Sequence, residues 1–363
     1  MSTLDLTEDR LMRAAVYVGN GRLEIQSVPV PGIGAGELLV RVECCGICHT
    51  DLKKIEHDLL APPRIFGHET AGVVVAAGEG VTKFKPGDRV VAFHHVPCRA
   101  CFYCDRKLYA QCEGYKKVGI TAGYEPAGGG FAQYIRVMDW IVREGVERIP
   151  DGVSFEAASF VEPVNTCHKA VVAMDPQPGD VVLIQGQGPI GLIFTMLVAR
   201  TGATIVATDT IPERLALARR LGAREAVDPR TADVPALMRK LTGGRGADQV
   251  FIAASAGDIV DQAMEASRPG SRILLFAQTA ETERIELAGA GICKLERTLM
   301  GVYSASIDLQ AETARLVFSG ELGVEVLVSH RLPLDEISQG VGLALHPAGK
   351  SLKIVVLPQR LSA

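Results

Sequence analysis

The segment VVLIQGQGPIGLIFTMLVAR constrains the fold of this chain more than any other part of the sequence. It places Gly186, Gly188 and Gly191 in a G-x-G-x-x-G pattern, directly after an apolar, β-branched run and at the start of a predicted helix. Glycines at these positions allow a tight turn and a close backbone approach, so a pyrophosphate can lie on the helix N-terminus. Glycine-rich turns also serve ordinary strand-to-helix packing, so the pattern alone is weak evidence for a nucleotide site.

A second apolar run, TIVATD, strengthens the interpretation because it ends in an acid. Asp209 lies eighteen residues after Gly191, where a carboxylate can bond both ribose hydroxyls of a dinucleotide. An alternative role for Asp209 is the N-cap of the helix predicted for IPERLALARR. The ordered series of strand, glycines, helix, strand and acid favours dinucleotide binding. An acid here repels a 2′-phosphate, which favours NAD over NADP, and Arg214 weakens that preference slightly.

The character of the sequence changes near residue 165. Before it, short runs such as AAVYVG, LLVRVECC and AGVVVAAG, separated by glycine and proline, predict a small antiparallel barrel or sandwich. After it, strand-like runs alternate with helical stretches such as ERLALARRLG, which predicts βαβ units and a parallel sheet. After about residue 305 the pattern is mixed and ends in a predicted strand, KSLKIVVL. A length of 363 residues also fits two domains.

Composition excludes several classes of function. A net charge of −4 gives no reason to expect nucleic acid or an anionic membrane as a partner. No apolar run approaches the roughly 18 residues of a transmembrane helix, and the first residues, MSTLDLTEDRLM, lack the apolar core of a signal peptide. We therefore expect a cytoplasmic protein, in which cysteines serve as metal ligands more often than as disulfides.

Four of the nine cysteines are concentrated in the stretch CRACFYCDRKLYAQC. Cys98, Cys101, Cys104 and Cys112 can close a tetrahedral zinc site with four sulfur ligands. Free thiols or an iron–sulfur cluster are the alternatives, but this density disfavours the first and no companion redox motif supports the second. A closed site has no position for substrate, so we predict a structural role. Of the other cysteines, Cys44, Cys45, Cys167 and Cys293 are predicted to be buried small residues, with a minor ligand role as the alternative for Cys167 because it is close to Glu162.

A second set of metal ligands is dispersed along the sequence. The segment ECCGICHTD contains Cys48 and Thr50, FGHETAG contains His68 and Glu69, and FVEPVNTCHKA contains Glu162. Each residue alone has an ordinary structural explanation, such as a buried thiol or a satisfied core histidine. Together they supply a thiolate, an imidazole and carboxylates, which can hold a zinc ion with one replaceable position.

These motifs together resemble the zinc-dependent medium-chain dehydrogenase/reductase family, above all its polyol (sorbitol-like) and threonine dehydrogenase branches. The matching segments are CGICHTD, GHETAGVV, KPGDRVV, the four-cysteine loop, VEPVNTCHKA and GQGPIG. The resemblance implies an α/β protein with a GroES-like β-barrel catalytic domain over residues 1–164 and 304–363, including a structural zinc loop at 98–112. A Rossmann NAD-binding domain would be inserted over 165–303. It also implies a homodimer or homotetramer.

The resemblance further implies particular roles for the site residues. Catalytic zinc would be held by Cys48 and His68, with Glu69 as an inner- or outer-shell carboxylate. Glu162 stands where alcohol dehydrogenases have a second cysteine ligand and polyol enzymes have a glutamate. Thr50 matches the hydroxyl residue that bonds the substrate oxygen. The implied cofactor contacts are Gly186, Gly188, Pro189, Ile190, Gly191, Asp209, Arg214, Phe276, Ala277, Val302 and Tyr303.

Two positions concern proton transfer and the substrate pocket. Lys53 stands where yeast-type alcohol dehydrogenases carry a proton-relay histidine, so a water chain or the cofactor ribose is the alternative relay. His95 matches a histidine near the substrate in threonine dehydrogenases, although the adjacent His94 makes that assignment ambiguous.

The implied reaction is hydride transfer from a small secondary alcohol or polyol to NAD, giving a ketone. Zinc would lower the pKa of the substrate hydroxyl and Thr50 would take or relay its proton. We predict two zinc ions per subunit, one catalytic and one structural. An L-threonine or amino-alcohol 3-dehydrogenase is the alternative, and a non-catalytic zinc- and nucleotide-binding protein is a more remote one.

Overall fold

The computed structural model describes residues 10–115, 119–125, 128–255, 257–277, 284–347 and 349–361. The chain divides into two compact units, the second of which interrupts the first in the sequence. Unit 1 comprises Met1–Asn165 and Ser306–Ala363, and unit 2 comprises Thr166–Ala305. Within the described ranges, no helix has the length and apolar character needed to cross a membrane.

The strands alternate with short helices along the chain. In chain order the strands are β1 (Leu11–Gly19), β2 (Arg22–Pro29), β3 (Leu38–Gly46), β4 (Glu69–Ala77), β5 (Arg89–Ala92), β6 (Ile120–Thr121), β7 (Tyr134–Val137), β8 (Val146–Arg148), β9 (Val181–Gln185), β10 (Thr204–Thr208), β11 (Ala223–Val227), β12 (Ala247–Ile252), β13 (Ser267–Leu275), β14 (Thr298–Gly301), β15 (Val328–Pro333) and β16 (Lys353–Leu357).

The α-helices are α1 (His49–Glu56), α2 (Phe102–Asp105), α3 (Asp139–Glu144), α4 (Phe155–Ser159), α5 (Val161–Met174), α6 (Pro189–Ala199), α7 (Pro212–Arg220), α8 (Val234–Leu241), α9 (Ile259–Ala266), α10 (Gly289–Cys293), α11 (Gln310–Phe318) and α12 (Ile337–Leu345). Short 3₁₀ turns occupy Tyr109–Gln111, Ile307–Leu309, Val324–Leu327 and Leu334–Glu336.

Unit 1 is built on a curled sheet with the strand order β15-β16-β3-β4-β5-β8, in which β7 also pairs with β3 and β6. Two register irregularities where β3 meets β4, between Leu39 and Val40 and between Val42 and Cys44, are the kind of feature that bends a strand. The core contains large buried aromatic side chains, among them Phe66 and Phe131. This curled, largely antiparallel sheet confirms the barrel-like fold expected for the N-terminal part.

The C-terminal segment completes the sheet of unit 1. Strand β16 pairs antiparallel with β3, placing Val355 opposite Gly46 and Val356 opposite Cys45. It also pairs in parallel with β15, a strand that the sequence pattern did not reveal. Residues at the end of the chain therefore lie beside the carboxyl end of β3, which leads directly into Cys48.

Unit 2 is a parallel sheet with the strand order β11-β10-β9-β12-β13-β14. Counted along this unit the order is 3-2-1-4-5-6, which is that of the dinucleotide-binding Rossmann fold. All five residues of β9 are buried, as expected for a strand covered on both faces. Helix α6 packs on the sheet through Phe194, whose ring centroid lies 5.0 Å from that of Phe251 on β12. The predicted parallel α/β architecture is confirmed.

None of the nine cysteines, all of which lie in the described ranges, forms a disulfide. Cys44, Cys45 and Cys167 are fully buried, as the sequence predicted. The prediction is wrong for Cys293, which is exposed. This residue ends α10, a helix without a single buried residue, so its thiol has no core to enter.

Candidate active site

Three different donor side chains converge at one end of the curled sheet in unit 1. Ligand atoms of Cys48, His68 and Glu69 all lie within 4.8 Å of one another. The β3–β4 ladder explains the convergence, because Gly46 pairs with Glu69 and Cys48 follows Gly46 by two residues. A side chain at position 46 would collide with the Glu69 carboxylate, so glycine is required there for the carboxylate to reach the cluster.

Asp51 orients the histidine of this cluster. It lies three residues after Cys48, on the first turn of α1, and its side chain is almost completely buried. The His68 Nδ1 atom is 3.0 Å from Asp51 Oδ2 and 3.2 Å from Oδ1. Burial opposes the charged imidazole, but the charges of Asp51 and Cys48 outweigh it and raise the pKa of His68 well above its usual value. Since Nδ1 faces Asp51, Nε2 is the nitrogen available to a metal.

Lys353 is a buried cation beside the same cluster. It lies on β16, and its ammonium pairs with Glu69 Oε2 and donates a hydrogen bond to the Ile47 carbonyl at 3.1 Å. Burial disfavours the charged amine, but the negative charges of Glu69 and Cys48 raise the pKa of Lys353 above its usual value. The lysine therefore stays charged and offsets part of the negative charge that the carboxylate brings into the site.

Glu162 lies near this cluster but outside the group of three. It occupies the first turn of α5, and its Oε1 atom is 3.7 Å from His94 Nε2. Burial raises the pKa of Glu162 to about 7, with smaller effects from the charges of His68 and Glu69. The carboxylate of Glu162 is therefore within electrostatic reach of His68 and Glu69, although it is not one of the three donors that lie within 4.8 Å of one another.

The two adjacent histidines have different surroundings. His94 is 5% exposed, and its ring centroid lies 5.3 Å from that of His68. His95 is half-buried and its ring lies against Tyr115, with 5.0 Å between the centroids. His94 thus lies next to His68, and the His95 ring lies beside it, with 4.5 Å between the two centroids. The role of His95 in the substrate pocket stays a prediction.

Thr50 and Lys53 lie on α1, and both side chains are half-buried. Thr50 is in the first turn, two residues after Cys48. Its role in binding the substrate hydroxyl stays a prediction, as does the loss of a histidine relay at position 53.

The donor set at Cys48, His68 and Glu69 fits zinc. A thiolate, an imidazole and a carboxylate are all zinc ligands in proteins, and catalytic zinc sites have three protein ligands with the fourth position left for water or substrate. The Asp51–His68 contact is the outer-shell arrangement that fixes a zinc-binding histidine. The chemistry of the cluster therefore matches the catalytic type of site rather than the closed type.

The four-cysteine loop forms a separate cluster whose geometry fits the closed type. The Sγ atoms of Cys98, Cys101, Cys104 and Cys112 lie within 4.8 Å of one another. Two of the separations are 3.9 Å, from Cys98 to Cys104, and 3.6 Å, from Cys101 to Cys104. A tetrahedral site with Zn–S bonds of about 2.3 Å requires sulfur–sulfur separations of about 3.8 Å.

The four thiols of this loop differ in how easily they ionise, since backbone N–H groups lower the pKa of Cys101 whereas burial raises the pKa of Cys104 to about 12. The N–H groups of Cys98 and Gly114 both donate to Cys112 Sγ at 3.3 Å. The backbone N–H of Cys104 is the largest influence that lowers the pKa of Cys101, to about 6. Thiolates are the form that binds zinc, so these N–H groups suit the predicted structural zinc site, which stays a prediction.

In unit 2, the glycine loop between β9 and α6 has the close packing that its sequence requires. Gly186 has a φ of +88°, and a side chain at Gly191 would overlap the Gly186 carbonyl. Gly188 is the N-cap of α6 and Pro189 its first residue, followed by the half-buried Ile190. The helix N-terminus therefore lies beside a residue with no side chain, which leaves room for an anionic group.

Asp209 lies at the end of β10, next to this loop. Its Oδ2 accepts a hydrogen bond from the Gln187 N–H at 2.6 Å, and its Oδ1 accepts one from the Ile211 N–H at 2.9 Å. Ile211 is the N-cap of α7, so the alternative role of Asp209 as a helix N-cap is wrong. A carboxylate has about four acceptor sites, so Asp209 retains capacity for ligand hydroxyls. Arg214 Nη1 lies 3.8 Å from Oδ2.

The remaining predicted cofactor residues lie at the carboxyl ends of β13 and β14. The N–H groups of Phe276 and Ala277 both donate to the Ile252 carbonyl at 3.1 Å. The Phe276 ring packs edge-on against Phe194, with 4.9 Å between centroids, so it belongs at least partly to the core. Val302 and Tyr303 are half-buried just after β14.

Sequence reasoning missed Asp51 and Lys353. Asp51 had a local signal, because helical spacing of three residues from Cys48 returns a side chain to the same face. Lys353 had no local signal in the sequence, since only the pairing of β16 with β3 brings it to Glu69.

Comparisons with known proteins agree with this geometry. Residues 34–151 match the family model described as alcohol dehydrogenase GroES-like domain, and residues 189–319 match the model described as zinc-binding dehydrogenase.

Individual relatives span almost the whole chain. A sorbitol dehydrogenase from Bacillus subtilis is 30% identical, covering 96% of this chain and 98% of its own. An L-threonine 3-dehydrogenase from Symbiobacterium thermophilum is 33% identical over 92% of this chain and 94% of its own. The crystal structure of a zinc-binding dehydrogenase from Sinorhizobium meliloti bound to NADP has a TM-score of 0.87 and 27% identity, covering 96% of this chain and 100% of that one.

Proposed function

The chain belongs to the zinc-type medium-chain dehydrogenases, which are oxidoreductases that act on CH–OH groups. From this premise we propose that it oxidises a secondary alcohol or polyol to a ketone, with NAD as the acceptor of the hydride. The observation that carries this proposal is the convergence of Cys48, His68 and Glu69 within 4.8 Å, with Glu162 beside them. A thiolate, an imidazole and a carboxylate with one open position suit a metal that acts on substrate.

In this proposal Cys48, His68 and Glu69 hold the catalytic zinc, and Glu162 is the adjacent carboxylate. Bound zinc would supply Lewis acidity, which lowers the pKa of a substrate hydroxyl. Asp51 holds the His68 ring with Nε2 toward the metal position, and Lys353 holds the Glu69 carboxylate. Thr50 accepts or relays the substrate hydroxyl proton. The four-cysteine loop would hold a second, structural zinc.

The proposed cofactor is NAD. Its pyrophosphate would lie on the N-terminus of α6 at Gly188, and its adenosine ribose hydroxyls would bond Asp209. The buried Asp209 carboxylate disfavours a 2′-phosphate, whereas Arg214 at 3.8 Å would favour one. The Sinorhizobium meliloti relative was crystallised with NADP. We propose that in this chain the balance between Asp209 and Arg214 decides the preference between NAD and NADP.

The substrate class rests on Glu162 and on the relatives. The sorbitol dehydrogenase from Bacillus subtilis and an (R,R)-butanediol dehydrogenase from Neisseria gonorrhoeae support a polyol or diol. A second candidate is L-threonine 3-dehydrogenase activity, supported by the relative at 33% identity and by His94, whose ring lies beside that of His68 and is followed by His95.

We also propose that the protein forms a homodimer or a homotetramer. Light scattering after size-exclusion chromatography would measure the molar mass and distinguish the two.

The test is NADH formation by the zinc-loaded protein with sorbitol, 2,3-butanediol, simple secondary alcohols and L-threonine, each with NAD and with NADP. Turnover of polyols or secondary alcohols with NAD would support the proposal, and Glu162→Ala should then abolish it. Turnover of L-threonine alone would establish the second candidate instead. A protein that contains two zinc ions and binds NAD but oxidises none of these alcohols would contradict the proposal.

A further inference from the structure

A largely buried lysine in unit 2 donates its hydrogen bond to a backbone carbonyl rather than to a carboxylate. Lys169 lies on α5, and its Nζ donates a hydrogen bond to the Tyr303 carbonyl at 2.8 Å. Burial lowers the pKa of Lys169, and among the residues that the structure describes no carboxylate forms an ion pair with it. Removing an ammonium from water for one carbonyl is unfavourable, which suggests that the position of this carbonyl matters.

The carbonyl belongs to a turn with an unusual backbone. Strand β14 ends at Gly301, and Ser304 has a φ of +60°. A non-glycine residue in this left-handed region is unfavourable and persists only where its surroundings hold it, often at a ligand site. Lys169 donates to the carbonyl of Tyr303, the residue immediately before Ser304. This hydrogen bond is therefore in a position to stabilise the turn.

The turn lies where one half of a dinucleotide is expected. In a sheet with this strand order the ligand crosses the carboxyl ends of the strands at the point where the order reverses. Here that point lies between β9 and β12. The glycine loop and Asp209 lie on the β9–β10 side of this point in the sheet. The ADP half of the dinucleotide is therefore expected on that side. The nicotinamide half then extends over the carboxyl ends of β12, β13 and β14, where the Tyr303–Ser304 turn lies.

We propose that Lys169 is a positioning residue that holds the Tyr303–Ser304 turn in the conformation that receives the nicotinamide half of the cofactor. This inference rests on the proposed dehydrogenase function. It predicts that Lys169 affects binding of the whole dinucleotide but not of its ADP half.

The experiment compares Lys169→Met with the wild type in the full-length, zinc-loaded protein. Binding of NADH and of ADP-ribose is measured by calorimetry, and KM for NAD and kcat are measured separately. We expect the Kd for NADH and the KM for NAD to rise about tenfold, the effect of losing one hydrogen bond from a charged donor. The Kd for ADP-ribose should stay unchanged. Lys169→Arg, which keeps a cationic donor, should restore most of the NADH affinity.

Arg272→Met is the matched control. Arg272 also donates to backbone carbonyls of α5, those of Ala173 and Met174, at 2.6 and 2.7 Å. This variant should lower the melting temperature but leave the ratio of NADH to ADP-ribose affinity unchanged. If Lys169→Met fails to fold, the same measurements are made with Lys169→Gln and Lys169→Arg. The arginine variant should then bind NADH more tightly than the glutamine variant.

The outcomes separate this inference from the proposed function. A Lys169 variant that weakens NADH and ADP-ribose equally, or neither, overturns the positioning role while leaving the dehydrogenase proposal intact. A wild-type protein that binds neither NADH nor NADPH overturns the proposed function, and the inference with it.

Discussion

Asp51 illustrates how one side chain beside a metal ligand determines what that ligand can do. It makes no contribution to the group of three donors, yet it fixes which nitrogen of His68 remains available. Lys353 likewise lies outside the three donors but forms an ion pair with the Glu69 carboxylate and so holds it in place. At the scale of the residue, the candidate site is therefore defined by the neighbours of its ligands as much as by the ligands.

Replacing Asp51 with asparagine tests this directly, because the amide keeps the shape and removes the charge. We expect the affinity of the catalytic site for zinc to fall roughly 10- to 100-fold, the usual effect of losing an outer-shell carboxylate. Competition with a chromophoric chelator measures the affinity. Asp88→Asn removes a carboxylate that pairs with Arg148 and should leave zinc affinity unchanged. Equal affinities in the Asp51 variant and the wild type would show that Asp51 does not support the ligand.

Asp209 and Arg214 make opposing contributions to cofactor choice. Asp209→Asn removes the negative charge that opposes a 2′-phosphate while Arg214 remains. The ratio of kcat/KM for NADP to that for NAD should rise about tenfold, equivalent to about 1.4 kcal/mol. Adding Arg214→Gln should lower the ratio again. Steady-state kinetics with both cofactors measures it, and an unchanged ratio in Asp209→Asn would assign the preference to other residues.

At the scale of the element, the β3–β4 ladder brings sequence-distant donors together, and it depends on a glycine. Gly46→Ala would place a methyl group against the Glu69 carboxylate and 2.7 Å from Lys353 Cε. We expect a loss of about 1–3 kcal/mol in unfolding free energy from overpacking, together with loss of the catalytic zinc. Thermal melts and zinc analysis measure both. Gly32→Ala is the control, because nothing lies within 4 Å of its added carbon. Two retained zinc ions in Gly46→Ala would contradict this account of the ladder.

The four-cysteine loop is an element with little core of its own. Its side chains Phe102 and Leu108 are 59% and 51% exposed, so apolar burial contributes little to its order. Cys101→Ser should therefore release one zinc ion and make residues 98–112 sensitive to proteolysis, while NADH affinity stays unchanged. Limited proteolysis with mass spectrometry detects the cleavage. A loop that resists protease after losing its zinc would show that the metal does not organise it.

Sequence patterns predicted elements better than the contacts between them. The runs around VVLIQ and TIVATD formed the parallel sheet because hydrophobic periodicity and glycine turns are local signals. The pairing of β16 with β15 and β3 was not foreseen, and Lys353 was missed with it, since long-range pairing leaves no local trace. Cys293 was placed in the core because cysteine is usually buried, but an exposed helix overrides that tendency.

At the scale of the whole molecule, one chain carries two kinds of chemistry in two units. Unit 1 contains both groups of candidate metal ligands, and unit 2 contains the glycine loop and Asp209. A parallel sheet by itself fits many nucleotide-binding proteins, and a cysteine–histidine–glutamate cluster by itself fits many metal sites. Their presence in one chain, in the order found in zinc-type dehydrogenases, narrows the reaction to hydride exchange between a CH–OH carbon and a nicotinamide.

The most direct measurement of that central claim follows the hydride itself. A secondary alcohol or polyol turned over by the protein is supplied with deuterium on its CH–OH carbon, and the reduced cofactor is analysed by mass spectrometry. The account predicts that the deuterium appears in NADH, that the product is the ketone, and that chelating the zinc stops the transfer. Ketone formation without label in the cofactor, or cofactor reduction that persists in zinc-free protein, would contradict it.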